Sequence, residues 1–140
     1  MSFSLSNEDV NFQQQVESCV MPVADFNHRA HLRLAYIYLS NCSVNIANQR
    51  VNQALHALLK HNNIEVSAKY HETLTQAWLL AVNHFMQQGV TALSANALID
   101  KFPQLLDSNM MLNHYSAECL YSDKARAAFI EPDLEPFPSY

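Results

Sequence analysis

Two polar clusters in the sequence carry the side chains that are best suited to chemistry. The first is the stretch KYHETLTQAW at positions 69–78, which brings together a cation, an imidazole, a carboxylate and two threonine hydroxyl groups. The second is HRAH at positions 28–31, where His28 and His31 are three residues apart and would share one face of a helical turn. Because neutral imidazole can act as a metal ligand or as a general base, the two clusters predict a shared polar site.

A metal centre is the most specific hypothesis for these residues. His28, His31 and His71 would supply three nitrogen ligands to a divalent transition metal such as zinc, with an open position for water. Supporting side chains would come from Glu72, Asp107 or His114. The sequence contains no H-E-x-x-H motif, no E-x-x-H pair and no His-Asp dipeptide, so such a centre would use none of these familiar arrangements.

A non-metal enzyme or ligand site is the second hypothesis. His71 would act as a general base oriented by Glu72, and these two residues are the predicted catalytic pair. The side chains predicted to bind a small, anionic ligand around them are Arg29, Lys69, Tyr70 and Thr75. No G-x-S-x-G motif is present, which makes hydrolysis by a serine nucleophile a weaker alternative.

A structural or protein-interaction module is the third hypothesis. In this case the histidines, threonines and tyrosines form a buried hydrogen-bond network that fixes how the helices pack. The residue types and their spacing identify no reaction, and all three hypotheses stay open at this point.

The composition predicts the elements that must position these side chains. Gly89 is the only glycine among 140 residues, whereas a β-rich fold of this length would need many glycine-containing turns. We therefore expect an all-α protein, with residues 1–140 forming one compact domain of five or six helices. The proline-rich segment 131–140 is expected to leave the bundle as an extended tail that packs against it through apolar side chains.

Capping signals and apolar periodicity place the main helices. Ser6 and Asp9 resemble a capping box at the first helix, and Asp25 or Asn27 would begin a helix over 28–41. A third helix ends near position 61. The fourth would run from position 67 or 68 to Gly89, with His71 inside it on the apolar stripe formed by Leu74, Trp78, Val82 and Phe85. Later caps are expected at Thr91 or Ser94, at Asp107 or Ser108, and at Ser116 and Ser122.

This order of helices brings the two polar clusters together. In an up-down bundle the second and fourth helices run parallel, so both would begin at the same end of the molecule. The 28–31 and 69–78 clusters would then lie near one point, and 69–78 would form the centre of the protein.

Charge and cysteine content limit the classes of partner and the compartment. A net charge of −5 disfavours nucleic acid, which requires a basic surface. No apolar run approaches the ~20 residues needed to cross a bilayer, and the first residues lack the pattern of a signal peptide. The three cysteines have no metal-site or paired spacing. We expect a cytoplasmic monomer or weak homodimer with free thiols.

A resemblance supports a common fold over residues 26–133. The motifs FNHRAH at 26–31, KYHETLTQAW at 69–78, YS at 115–116, and AR at 125–126 followed by Phe129 and PD at 132–133 occur in this order. The chain resembles a group of bacterial all-α proteins that share F-x-H-x-x-H, K-Y-H-E-T-x-T-x-x-W, Y-S and A-R-x-x-F-x-x-P-D. No activity is established for that group, so the resemblance implies a shared fold and pocket and transfers no reaction.

Overall fold

The computed structural model describes residues 4–88 and 92–137, and it confirms the all-α prediction. These ranges contain eight α-helices and no β-strand. The α-helices are α1 (Asn7–Glu17), α2 (His28–Asn41), α3 (Val44–His61), α4 (Val66–Lys69), α5 (Glu72–Met86), α6 (Ala95–Lys101), α7 (Ala117–Leu120) and α8 (Asp123–Ala127). Short 3-10 helices lie at Val23–Asp25, Pro103–Leu106 and Met110–Asn113. The helices outnumber the expected five or six because α4, α7 and α8 have only four or five residues each.

Side-chain caps begin most of the longer helices. The capping box of α1 is confirmed: Asp9 N donates to Ser6 Oγ at 3.1 Å, and Ser6 N donates to Asp9 Oδ2 at 3.0 Å. The same carboxylate oxygen accepts from Ala95 N at 3.1 Å, so buried Asp9 also joins the start of α6 to α1. The other side-chain caps include Asn27, Ser43, Ser94, Ser116 and Ser122. Thr91, one of the expected caps, lies outside the described residues.

Helix α2 is the most enclosed element of the fold. Every residue from Leu32 to Tyr38 except Arg33 is buried, and the helix packs against α1, α3, α5 and α6. Two buried tyrosines on α2 find polar partners: Tyr36 Oη donates to Ser4 O at 2.8 Å, and Tyr38 Oη donates to the Glu17 carboxylate at 2.5 Å. The centre of packing is therefore α2 and not the 69–78 stretch, because four other helices pack against α2.

The predicted fourth helix is broken, and this is the main correction to the expected elements. α4 ends at Lys69, Tyr70 and His71 are extended, and α5 begins at Glu72. His71 consequently precedes the apolar stripe instead of lying on it. The stripe itself packs on the core as predicted, with Trp78 and Val82 buried and Leu74 and Phe85 at its margin. α5 ends at Met86, and the predicted terminator Gly89 lies outside the described residues.

The C-terminal segment is extended and is fixed to the bundle by polar contacts. Ser116 donates from its backbone N and its Oγ to the two carboxylate oxygens of Asp133, at 2.8 and 2.6 Å. Leu134 N donates to His114 O at 2.9 Å, and His114 Nδ1 lies 2.7 Å from Glu135 O. The ring of Phe137 packs on the ring of His114 at 4.6 Å between centroids. The tail therefore contacts the bundle through the apolar ring of Phe137 and also through the hydrogen bonds between Asp133 and Ser116.

A second set of bonds joins this segment to the start of α5. The buried Thr73 side chain donates to Ala128 O at 3.0 Å and accepts from Ile130 N at 3.1 Å. Tyr115 Oη donates to Ile130 O at 2.6 Å. The first turn of α5 is therefore held in place by chain that lies more than fifty residues later.

Within residues 4–88 and 92–137, none of the helices is both long enough and apolar enough to cross a membrane.

Candidate functional site

A cavity of about 580 Å³ lies between α2, α3, α4 and α5, and residues from both polar clusters line it. Its wall combines nine apolar side chains with six that carry polar or charged groups. The apolar ones are Val23, Ala24, Phe26, Leu55, Leu58, Leu59, Ile64, Leu74 and Trp78, and the others are His28, His31, Lys69, Tyr70, His71 and Thr75. The shared pocket that the sequence predicted therefore has a counterpart in the structure.

Two helix starts meet at this cavity because of how each helix begins. Asn27 caps α2 by accepting from Ala30 N at 2.9 Å, which places His28 and His31 in the first turn. The break at Tyr70 and His71 lets α5 begin at the same wall. The first turns of α2 and α5 both line the cavity, as the parallel arrangement of the second and fourth predicted helices requires.

His71 is the N-cap of α5, and both of its ring nitrogens have partners. Nδ1 accepts from Leu74 N at 3.1 Å, so the ring proton is on Nε2, which lies 2.7 Å from Leu120 O and donates to it. Burial lowers the pKa of His71, which favours this neutral form. With no free lone pair, His71 in this conformation cannot bind a metal ion or take a proton as the predicted general base.

His28 also contacts a backbone carbonyl. Its Nε2 lies 2.9 Å from Leu105 O, and its ring meets the edge of the Trp78 ring at 4.4 Å between centroids. The imidazole links the start of α2 to the 3-10 helix that follows α6.

His31 differs from the other two histidines. Its Nε2 is buried and has no hydrogen-bond partner among the residues that the structure describes. Burial, with a smaller contribution from the neighbouring His28, lowers the pKa of His31 from 6.5 to about 4, so the ring is neutral near pH 7. Burial of a nitrogen without a hydrogen-bond partner lowers stability by ~1–3 kcal/mol. The Nε2 of His31 is such a nitrogen, and His31 lines the cavity.

The three histidines do not form the predicted metal centre. Among the residues that the structure describes, no group of three or more histidine, cysteine, aspartate or glutamate side chains is arranged to hold a metal ion. The physical reason is that the Nε2 atoms of His28 and His71 lie at backbone carbonyls instead of pointing to a common centre. The predicted supporting ligands are also elsewhere: Asp107 is exposed and accepts from Asn109 N, and His114 contacts the tail.

Glu72 faces away from the cavity and belongs to a separate polar cluster. Tyr70 Oη lies 2.5 Å from Glu72 Oε2 and 2.6 Å from Asn52 Oδ1, and Asn52 Nδ2 donates to the same carboxylate. Burial and the bond to Glu72 raise the pKa of Tyr70. His56 is half-buried and packs its ring against Tyr70 at 4.4 Å between centroids. Glu72 therefore positions Tyr70 and does not orient His71.

The remaining predicted ligand-binding residues divide between the cavity and the surface. Exposed Lys69 and buried Thr75 both line the cavity. Arg29 points elsewhere: its guanidinium bonds to Asn96 and forms an ion pair with Asp100 at 3.0 Å. Arg29 is therefore not part of the cavity.

Sequence reasoning missed the opposite wall of the cavity. That wall consists of Val23, Ala24 and Phe26 in the connection before α2, and of Leu55, Leu58, Leu59 and Ile64 at the end of α3. None of these residues was among the predicted site residues. An apolar side chain that lines a cavity has the same periodicity as one that fills a core, so the sequence offered no signal to separate them.

Comparisons with models of known protein families, with curated proteins and with solved structures find no match for this chain. The function must therefore be argued from the geometry of the cavity.

Proposed function

We propose that the protein binds a small organic molecule in the cavity between α2, α3, α4 and α5. Sites for small ligands are concave, mostly apolar and about 300–1,000 Å³ in volume, with a few polar groups that orient the ligand. The volume of about 580 Å³ and the mixed lining fit this description. The observation that carries the proposal is the buried, unpartnered Nε2 of His31 in the wall, because a bound polar group would satisfy it.

Binding without a protein-bound metal is favoured by the contacts of the histidines. His71 has both nitrogens occupied and His28 has one, so two of the three predicted metal ligands are already committed to backbone groups. The same contacts argue against His71 as a general base. We accordingly propose that the chain is a binding protein, and that zinc or another transition metal takes no part in the binding.

A fluorescence screen of a small-molecule library tests the proposal directly. Trp78 is the only tryptophan of the chain and lines the cavity, so its emission reports on a bound ligand without labelling. Ala24→Phe places a ring at the exposed rim of the cavity and should abolish the response. Ala97→Phe, an exposed position on α6 away from the cavity, is the matched control and should leave it unchanged. A response that survives Ala24→Phe would place binding elsewhere.

A structural role for the histidines is the second candidate, and the contacts of His28 and His71 favour it for these two residues. Each donates from its Nε2 to a backbone carbonyl of a later segment, that of Leu105 and Leu120 respectively. This role predicts that substitutions of His28 or His71 lower stability, whereas His31→Phe should change ligand binding more than stability. If His31→Phe left binding of the screened ligands unaltered, the histidines would be structural only.

The compartment and the oligomeric state are also inferences. We infer a cytoplasmic monomer or weak homodimer without a nucleic-acid or membrane partner, supported by the net charge of −5 and the three free cysteines. Thiol counting in unfolded protein purified without reductant should find all three thiols, and sedimentation should give the mass of one chain. A disulfide retained under these conditions would contradict the inferred compartment.

A further inference from the structure

The charge of the cavity wall indicates which class of molecule it accepts. The chain carries thirteen acidic and eight basic residues, yet no aspartate or glutamate lines the cavity. Lys69 is the lining residue with a permanent charge, and it forms no ion pair with the residues that the structure describes. The wall is therefore locally positive within an acidic protein.

The helix starts reinforce this positive character. The first turn of a helix exposes backbone N–H groups and carries a partial positive charge. α2 has fourteen residues and no acidic side chain in its first turn, so nothing on the helix compensates that charge. α5 does have Glu72 there, but Glu72 does not line the cavity, and its carboxylate is bonded to Tyr70 and Asn52.

His31 supplies the second, independent indication of a ligand. A helix start alone does not make a site, but here the buried Nε2 of His31, in the first turn of α2, lacks a partner. A neutral imidazole with its proton on Nε2 would donate to an oxygen of the ligand. Hydrogen bonds to a charged acceptor are the stronger ones, which favours a carboxylate over a hydroxyl group at this position.

We propose that the ligand is a monocarboxylate with an apolar body. The carboxylate lies between His31, the start of α2 and Lys69, and the body contacts the apolar side chains of α3, α5 and the connection before α2. This inference rests on the proposed function and adds the chemical class of ligand. A phosphate is disfavoured because Arg29 is paired with Asp100 and Arg33 lies over the ring of Phe12, so no guanidinium reaches the cavity wall.

Three unbranched probes of eight carbon atoms test the proposal: octanoate, octan-1-ol and octylamine, each below its aggregation threshold. Binding is followed by Trp78 emission at pH 7. Octanoate should bind about tenfold tighter than octanol, as expected for one charge-assisted hydrogen bond in place of a neutral one. Octylamine should bind more weakly than either. Added salt should weaken octanoate binding and leave octanol binding unchanged, because only the first involves a charge.

Variants locate the carboxylate. His31→Phe should remove most of the preference for octanoate over octanol, and Lys69→Gln should reduce it about threefold, since an exposed ion pair contributes little. Lys101→Gln, an exposed lysine on α6, is the matched control and should have no effect. The ratio of the two affinities is measured within each variant, so a change in stability affects both probes alike.

The outcomes separate this inference from the proposed function. Octanol or octylamine binding as tightly as octanoate overturns the carboxylate assignment and leaves the cavity as a binding site. A preference for octanoate that persists in His31→Phe also overturns it, because the carboxylate would then lie elsewhere. If no probe and no library compound changes Trp78 emission, the proposed function itself is contradicted and the assignment fails with it.

Discussion

Replacing His71 by alanine should destabilise the protein strongly, because one side chain makes two structural bonds. The substitution removes the N-cap of α5, in which Nδ1 accepts from Leu74 N at 3.1 Å. It also removes the bond of 2.7 Å from Nε2 to Leu120 O. Loss of a cap costs about 1 kcal/mol, and loss of a buried hydrogen bond that leaves a carbonyl without a partner costs about 1–2 kcal/mol.

The free energy of unfolding of His71→Ala should therefore fall by about 2–3 kcal/mol. Urea unfolding followed by far-UV circular dichroism measures this difference. His71→Asn separates the two contributions, since asparagine is a good N-cap but is too short to replace the bond to Leu120; it should recover about 1 kcal/mol. His61→Ala, at the exposed end of α3, is the matched control and should change stability by less than about 0.5 kcal/mol.

Two results would refute this reasoning about His71. Stability of His71→Ala within about 0.5 kcal/mol of the native protein would mean that the bonds to Leu74 and Leu120 contribute nothing, and would reopen a functional role for the ring. Equal stability of His71→Ala and His71→Asn would show that the side chain does not cap α5.

Further predictions concern pH, the tail and metal ions. The pKa of His31 is about 4 in the folded protein and 6.5 in the unfolded chain, so the unfolded chain binds more protons between these values and stability should fall as the pH drops from 6.5 towards 4. The loss attributable to His31 is on the order of 3 kcal/mol at most, and urea titrations of His31→Phe should show a correspondingly flatter pH dependence. Deleting residues 131–140 should lower the melting temperature, because it removes Asp133 from Ser116 and Phe137 from the ring of His114; an unchanged melting curve would assign the tail to a partner instead. Zinc or nickel added to protein freed of metal by a chelator should not bind at one ion per chain with ligands in the cavity; stoichiometric uptake that is lost in both His31→Ala and His71→Ala would restore the metal hypothesis.

Much of the fold could be predicted because local signals and packing agreed. The Ser6–Asp9 capping box and the Asn27 cap act within three residues, so the sequence contains the complete interaction. The apolar stripe formed by Leu74, Trp78, Val82 and Phe85 could also be predicted, because its helical spacing is present in the sequence. That some residues of both polar clusters line one cavity agrees with the expected order of the helices, although Arg29 and Glu72 do not line it.

The roles of individual side chains were harder to predict because they depend on distant chain. His71 has helical neighbours on both sides in the sequence, and only its bond to Leu120, forty-nine residues later, shows why it leaves the helix and caps α5. Arg29 could reach an anion in the cavity on sequence grounds, but Asn96 and Asp100 on α6 bind it instead. The pairing of Glu72 with Tyr70 and Asn52 likewise needs the position of α3.

The most direct test of the binding site is a nuclear magnetic resonance titration with the compound from the library screen that changes Trp78 emission most. The largest shifts of amide and side-chain signals should come from the first turns of α2 and α5, including the His31 imidazole and the Trp78 indole. A second, smaller cavity of about 190 Å³ near Phe85 and Met111 serves as the internal comparison and should show little change. Shifts centred on that cavity, or spread over the surface without the His31 and Trp78 signals, would contradict the assignment of the binding site.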